Sequence, residues 1–177
     1  DMLLEAVRPV IKECLAMSKK GGYLTLCGTP KTMENGIEQL FQESTQTEWA
    51  IKCDGCGKYS ILLSETQCGK RGPVCTKCQS YLNPRNGVWV DMNPMPPDED
   101  GRVNQTKGYH ISRPMMPQFV PAAWPIGPLR DAALDKWKTD VLYNLEGPEA
   151  YPISVFRNEV LGISDSQGRR LVTKEML

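Results

Sequence analysis

Apolar residues near the start of the chain recur first with helical spacing and then as an unbroken run. Residues 3–18 (LLEAVRPVIKECLAMS) carry apolar side chains at three- and four-residue intervals, which predicts a helix that Pro9 kinks or restarts. The run at 23–27 (YLTLC) is nearly all apolar, as expected of a buried parallel strand that ends in the turn at 28–30. A helix followed by such a strand is typical of an α/β protein.

The middle of the chain alternates short extended runs with polar turns. Asn35 is placed to cap a helix over residues 36–42 (GIEQLFQ). Extended runs are predicted at four places, which are residues 47–52, 59–63, 87–92 and 109–112. The stretch 93–106 is rich in proline and acidic residues and predicts an exposed loop.

Two helices are predicted near the end of the chain. The first covers residues 128–145 and begins with a proline. Its predicted buried stripe consists of Leu129, Ala132, Ala133, Trp137, Val141 and Leu142. The second covers residues 153–161 and stops at Gly162. Residues 173–177 resemble a further helix start, and the first residue is not Met, so we expect a piece of a longer protein.

Composition narrows the possible function. Lysine plus arginine and aspartate plus glutamate both number 21, so the net charge is zero and any contact with nucleic acid must be local or shared with other chains. The sequence has neither a run of eighteen apolar residues nor a secretory signal pattern, which argues against a membrane span. Seven cysteines, four of them in C-x-x-C pairs, favour metal binding in a reducing compartment, and we expect a cytoplasmic protein.

The two cysteine pairs have the spacing of a zinc ribbon. Cys53 and Cys56 form one pair, Cys75 and Cys78 form the other, and eighteen residues separate them. Each C-x-x-C turn can present two thiolates to one ion, so the pairs predict a tetrahedral Zn²⁺ site. The alternative is a set of four incidental free cysteines. A site closed by four cysteines has no open coordination position and is expected to be structural.

Cys68 lies between the two pairs but has no partner at C-x-x-C spacing, so we expect an unliganded thiol. Four cations flank the pairs, namely Lys70, Arg71, Lys77 and Arg85. With nearby aromatic residues they could form a face that contacts nucleic acid, or they could be the solvated surface of the ribbon. Both interpretations remain open at this point.

The sequence lacks the usual catalytic motifs. No G-x-x-x-x-G-K-[ST] phosphate loop and no G-x-S-x-G elbow is present. The single histidine, His110, is expected to be packed or hydrogen-bonded in a strand. The chain alone therefore looks catalytically incomplete, and whether it is an enzyme stays undecided at this level.

Several segments, in this order, resemble the large subunit of tailed-phage terminases, the motor that packages viral DNA. They are LCGTPKT at 26–32, ESTQTEW at 43–49, the cysteine pairs, GYHI at 108–111 and FRNEVLG at 156–162. The resemblance covers most of the chain, and the order and spacing of the segments look like those of terminases that carry a cysteine-rich insertion. It implies that Thr29 lies in the motif that couples ATP hydrolysis to DNA movement.

The resemblance also implies a domain order. Residues 1–50 would be the part of a P-loop (RecA-like) ATPase domain that follows Walker B, and 51–92 would be the zinc ribbon. Residues 93–150 would return to the ATPase domain with an exposed loop, and 151–177 would lead as a helical linker toward a nuclease domain. The Walker A loop would lie before residue 1 and the nuclease acids after residue 177.

Cofactors and partners follow from the same resemblance. Zn²⁺ would be bound by this chain, whereas ATP and Mg²⁺ would be bound only by the full-length protein. The implied partners are double-stranded DNA, other motor subunits, the small terminase subunit and the portal, with no membrane. Two alternatives are a non-enzymatic zinc-ribbon adaptor that binds nucleic acid or protein, and a domain in which zinc has only a structural role.

Overall fold

Helices and short strands alternate along the chain, and the fold is of mixed α/β class. The computed structural model describes residues 2–19, 23–32, 36–97, 99–101 and 105–165. The predicted cap at Asn35 and the predicted helix start at 173–177 lie outside the described residues. In the described part of the chain, no helix combines the length and the apolar character needed to cross a bilayer.

The described helices and strands have the following bounds. The α-helices are α1 Met2–Ala16, α2 Gly36–Gln42, α3 Pro128–Trp137, α4 Tyr143–Glu146 and α5 Ile153–Phe156. The strands are β1 Thr47–Lys52, β2 Tyr59–Ser60, β3 Cys68–Gly69, β4 Gly72–Pro73 and β5 Gly87–Asp91. The predicted helix at 36–42 and the predicted extended run at 47–52 are confirmed with the same bounds.

The larger sheet is antiparallel, with strand order β2-β1-β5. Trp49 lies opposite Trp89, and the Trp49 indole Nε1 donates a hydrogen bond of 2.9 Å to the carbonyl of Pro84. The Trp49 ring covers Gly87, where a Cβ atom would come within 2.2 Å of it. Because β1 is the central strand, most of its side chains are buried, including Ile51.

A second sheet is the hairpin of β3 and β4. The hairpin pairs Gly69 with Gly72, so Lys70 and Arg71 form its two-residue turn. The indole of Trp137 donates a hydrogen bond of 2.9 Å to the carbonyl of Gly69. This bond attaches the hairpin to the helical part of the chain.

Each of the two described helices after residue 127 contains a π-helical turn in addition to its α-helical residues. A π-helical turn, Lys138–Leu142, joins α3 to α4, so the chain is helical throughout 128–146. A second π-helical turn, Arg157–Leu161, extends α5 to Gly162, which has a φ of 70°. Both predicted helices are confirmed, and Gly162 ends the second because glycine adopts the left-handed conformation without strain.

The main hydrophobic core lies among these helices. Its fully buried side chains are Val120, Trp137, Val141, Phe156, Val160 and Leu161. Cys68, from β3, packs against this cluster. Arg157 adds a polar connection, since its guanidinium binds both carboxylate oxygens of Glu65 at 2.8 and 3.2 Å and a carboxylate oxygen of Asp165 at 3.1 Å.

The predicted buried strand at 23–27 is wrong. These residues form no strand, and the side chain of Tyr23 is 99% exposed. A parallel strand of this kind needs neighbours on both edges, and the described residues supply none. Thr29 is therefore exposed on a segment that pairs with no described strand, and Gly28 approaches the side chain of Ile37 in α2.

Two other strand predictions were too long. The run at 59–63 is paired only at Tyr59 and Ser60, because the chain then turns toward the 3₁₀ turn Glu65–Gln67. The run at 109–112 makes a single parallel bridge, between Tyr109 and Thr47. The predicted strand at 87–92 is confirmed to within one residue.

The buried stripe predicted for the helix at 128–145 is correct for some of its residues but not for those in the first turns. Ala133, Trp137 and Val141 are buried, whereas Leu129 and Ala132 are exposed. Leu129 lies in the first turn of α3, outside the hydrophobic cluster that covers the later turns. The exposed loop predicted at 93–106 has no helix or strand in its described residues.

His110 connects β1 to the end of the helix over residues 153–161, which confirms that it is hydrogen-bonded. Its Nδ1 lies 2.7 Å from a carboxylate oxygen of Glu48, and its Nε2 lies 2.6 Å from the carbonyl oxygen of Leu161. Because both partners are acceptors, only the doubly protonated ring can donate to both. Burial opposes this charge, but the hydrogen bond and charge of Glu48 outweigh burial and raise the pKa of His110.

We expect His110→Gln to lower the free energy of unfolding by about 1.5–3 kcal/mol at pH 6 and by less at higher pH. A pKa that is raised by folding adds stability that is complete below the unfolded value, about 6.5, and is lost as pH rises through the folded value. The measurement is urea unfolding of both proteins from pH 5.5 to 9. A difference between wild type and variant that does not change with pH would contradict the charged ring.

Candidate metal centre

Two similar turns carry the four paired cysteines. In the first turn, the amide of Gly57 donates to the carbonyl of Cys53 at 2.8 Å, and the amide of Cys53 donates to the carbonyl of Lys58 at 2.8 Å. The second turn repeats both bonds, from Gln79 to Cys75 at 3.0 Å and from Cys75 to Ser80 at 2.9 Å. The repetition follows from the shared C-x-x-C spacing.

The fifth residue of each turn has a left-handed backbone conformation. Gly57 has a φ of 71° and Gln79 has a φ of 59°. This conformation turns the chain back, so that the carbonyl of the next residue, Lys58 or Ser80, meets the amide of the first cysteine of the turn. The first turn has a glycine at this position, whereas the second has a glutamine that must bear the strain.

The four sulfur atoms converge. The Sγ atoms of Cys53 and Cys78 are 3.5 Å apart, those of Cys56 and Cys75 are 3.7 Å apart, and all four lie within 4.8 Å of one another. A disulfide bond would need about 2.05 Å. A tetrahedron with metal–sulfur bonds of about 2.3 Å has edges of about 3.8 Å. The four cysteines are therefore close enough to hold one metal ion, and their geometry is compatible with zinc.

The cluster is covered on one side only. Cys53 and Cys75 are buried, Cys56 is half-buried and Cys78 is exposed. The buried pair packs with Ile51, Leu62 and Leu82 in a second hydrophobic cluster. With the partly buried Trp49 and Met115 against them, these three aliphatic side chains are still a small core for a ribbon of about forty residues, so metal binding would add stability to it.

Backbone amides and hydroxyls are directed at the sulfur atoms. The amides of Cys78 and Lys77 lower the pKa of Cys75 to about 6, and the Ser60 hydroxyl donates to its Sγ at 3.7 Å. The Ser80 hydroxyl, 3.4 Å from the Sγ of Cys78, lowers the pKa of that thiol. Bonds donated to sulfur, such as those of the Lys77 amide and the Ser60 hydroxyl, stabilise the thiolate, which is the form that binds a metal.

Cys56 shows the opposite effect. The amide of Lys58 lowers its pKa, but burial and the neighbouring thiols outweigh that amide and raise the pKa to about 11. Four sulfur atoms in one small volume cannot all ionise without a counter-charge. A divalent cation would supply that charge, so the cluster is suited to a cation rather than to four free thiols.

Cys68 lies outside the four-sulfur cluster, as the sequence predicts. Burial, with a smaller effect from the charge of Glu65, raises the pKa of this thiol to about 12. A thiol with so high a pKa stays protonated at neutral pH and is chemically inert. Its contacts with the helical core give it a packing role.

The four cations that could either contact nucleic acid or form solvated ribbon surface differ in their surroundings. Lys70 and Arg71 are exposed at the tip of the β3–β4 hairpin, and Lys77 is exposed on the second cysteine turn. The guanidinium of Arg85 instead lies 4.3 Å from the centre of the Trp124 ring, so this side chain is engaged in a cation–π contact. Thr29 is not part of the cysteine cluster.

Sequence reasoning missed several residues that support the site. Ser60 and Ser80 approach the sulfur atoms, and the amide of Asn86 donates to both carboxylate oxygens of Asp54 at 3.1 Å. Ser80 could have been found from its place two residues after Cys78. The approach of Ser60 and the Asn86–Asp54 contact depend on how distant segments pack, which no local pattern reveals.

Comparisons with models of protein families, with curated proteins and with solved structures find no match for this chain. Inference about function therefore depends on the geometry of the site and on the motifs in the sequence.

We expect Gly57→Ala to destabilise the metal-loaded protein by about 1 kcal/mol, because alanine resists the left-handed conformation. A Cβ atom at Gly57 would meet nothing within 4 Å, so the effect isolates the backbone. Urea unfolding in the presence of Zn²⁺ measures it. Gly28→Ala is the control, since a Cβ atom there would make only ordinary contacts, at 3.6 Å or more. Equal stability of Gly57→Ala and wild type would argue against the turn geometry.

Proposed function

We propose that Cys53, Cys56, Cys75 and Cys78 bind one Zn²⁺, and that the resulting zinc ribbon belongs to the large subunit of a tailed-phage terminase. The observation that carries the zinc proposal is the convergence of four sulfur atoms within 4.8 Å. Tetrahedral four-thiolate sites favour zinc over the hard cations magnesium and calcium. With all four positions taken by cysteine, the ion would hold the ribbon together and would not catalyse a reaction.

The role in a DNA-packaging motor is supported by the ordered motifs of the sequence. In this proposal, residues 1–50 and 93–150 belong to a P-loop ATPase domain whose phosphate loop lies elsewhere in a longer protein. ATP and Mg²⁺ would bind there, and Thr29 would help couple hydrolysis to DNA movement. The small terminase subunit, the portal and other motor subunits would be the protein partners, in the cytoplasm of the host cell.

A DNA-contacting role for the ribbon is supported by the position of its cations. Lys70 and Arg71 are exposed in a two-residue hairpin turn, and Trp137 bonds to the carbonyl of Gly69, directly before that turn. Exposed cations on a rigid hairpin can contact phosphates without losing packing. The same observation also favours the second candidate function, a zinc-ribbon adaptor that binds nucleic acid without being part of a motor.

We expect one zinc ion per chain, measured by elemental analysis of the purified protein. Cys53→Ser or Cys75→Ser should abolish binding, because each removes a buried ligand of the tetrahedron. Cys68→Ser is the matched control and should retain the full zinc content. Removal of the metal by a strong chelator should unfold the ribbon, seen as a loss of far-ultraviolet circular dichroism. A protein that keeps its fold without metal would refute the proposed role of zinc.

We expect no detectable ATP hydrolysis by this chain alone. The 177 residues contain no phosphate loop, so they have no cradle of backbone amides and no lysine for the β- and γ-phosphates. A phosphate-release assay on the pure protein is the measurement, with a phosphate-loop ATPase as positive control. Turnover that co-purifies with the chain and is lost on Thr29→Ala would show that the active site is here after all.

We expect a Lys70→Ala/Arg71→Ala double variant to bind double-stranded DNA more weakly. Loss of two phosphate contacts should reduce the slope of log affinity against log salt by about two. Fluorescence anisotropy with a labelled duplex at several salt concentrations measures both effects. The control is Lys12→Ala/Lys138→Ala, which removes two exposed cations outside the ribbon. Similar losses in both variants would mean that the hairpin has no special role.

A further inference from the structure

The outer edge of β5 is unpaired among the described residues. β5 ends the strand order of its sheet, and at the opposite edge β2 has only two residues. Proteins commonly protect an exposed edge with lysine, proline or a bulge. The five residues of β5, GVWVD, contain neither lysine nor proline, and all five pair in regular register with β1.

The hydrogen bonds of β1 show which residues of β5 face outward. Both backbone groups of Thr47 bond away from β5, to the carbonyl of Gly108 at 2.7 Å and to the amide of His110 at 3.1 Å. Because bonding direction alternates along a strand, Glu48 and Ala50 bond to β5, at Val90 and Val88. The backbone groups of Gly87, Trp89 and Asp91 therefore point to the open edge.

The side chains along this edge are apolar and exposed on both faces of the sheet. Val88 and Val90 are 48% and 38% exposed on one face, and Trp89 is 43% exposed on the other. Trp89 is held by edge-to-face contacts with Trp49 and Tyr109, whose ring centres lie 4.9 and 5.1 Å away. Strand, exposed valines and ordered tryptophan together form one surface, which we call the β5 edge.

Charge limits what can bind to the β5 edge. Asp91 is the only charged residue of the strand, and its carboxylate forms an ion pair with Lys107. Nucleic acid would need cations along the strand, and none is present in β5. Open backbone groups flanked by apolar side chains are complementary to another extended strand.

We propose that a second copy of this chain pairs its β5 edge antiparallel with the first, about a two-fold axis at Trp89. This inference goes beyond the proposed function and does not depend on it. Val88 of each copy then lies opposite Val90 of the other copy, and the two Trp89 residues lie opposite each other. Gly87 lies opposite Asp91, so no like charges meet.

The strand is self-complementary in this register. The outward residues are its first, third and fifth, so the central Trp89 exchanges both backbone hydrogen bonds with its counterpart. Val88 and Val90 then form non-hydrogen-bonded pairs, whose Cα atoms lie about 4.5 Å apart and whose side chains touch. The aromatic contacts of Trp89 and Tyr109 would continue across the axis into the second copy. The two sheets become one sheet of six strands with isologous symmetry.

The test is sedimentation equilibrium of the zinc-loaded protein across the micromolar range. We expect wild type to approach twice the chain mass of 19.8 kDa. Val88→Lys should raise the dimer dissociation constant at least about tenfold, because each dimer then buries two lysines against valine. The double variant Val88→Lys/Val90→Glu should restore association, since the register places each new lysine opposite a new glutamate.

Ile126→Lys is the matched control, because Ile126 is 91% exposed and lies outside the sheet. Unchanged zinc content and circular dichroism in every variant would show that the fold is intact. A wild type that stays at 19.8 kDa throughout the range would overturn the proposal. So would a dimer that Val88→Lys leaves intact, or a double variant that remains as dissociated as Val88→Lys alone.

Discussion

Four sulfur atoms from two separate turns meet in a volume that suits a single cation, and much of the ribbon depends on that meeting. One turn follows β1 directly, and the other follows the β3–β4 hairpin, so the cluster joins two turns that eighteen residues of the chain separate. Ile51, Leu62 and Leu82 accompany the two buried cysteines in the local core, and the partly buried Trp49 and Met115 pack against it. So few aliphatic side chains cannot offset the conformational entropy of ordering the ribbon, and a bound ion would make up the difference.

The ribbon is also attached to the helices that follow it. Trp137 bonds to the carbonyl of Gly69, Arg157 binds both oxygens of Glu65, and Cys68 packs into the helical core. A structural change at the cysteine cluster can therefore affect α3 and the helix that begins with α5 through these contacts. His110 provides another connection, because it joins β1 to the carbonyl of Leu161 in the π-helical turn Arg157–Leu161. Together these contacts make the ribbon and the C-terminal helices one packed unit.

Local sequence patterns correctly predicted the helices and strands that are determined by neighbouring residues in the chain. The helices at 36–42 and 153–161 and the extended run at 47–52 have strong periodicity or clear end signals, and they are confirmed. The run at 23–27 was misread, because an apolar segment forms a strand only where a neighbour accepts its hydrogen bonds. Leu129 was misplaced for a similar reason, since helical phase does not show where the core ends. The π-helical turns at Lys138–Leu142 and Arg157–Leu161 have no signal in the sequence that we recognise.

The sequence by itself determined the four cysteines of the candidate metal centre, because C-x-x-C spacing fixes how two thiols share one turn. It also set Cys68 apart, since that residue lacks such a partner. Only the tertiary structure decided that the two turns face each other, that Ser60 and Ser80 approach the sulfurs, and that Arg85 lies over Trp124. The open edge of β5 is likewise a feature that only the tertiary structure reveals. Spacing along a chain is a local property, whereas the distance between two turns and the pairing of a strand edge are set by how the whole chain packs.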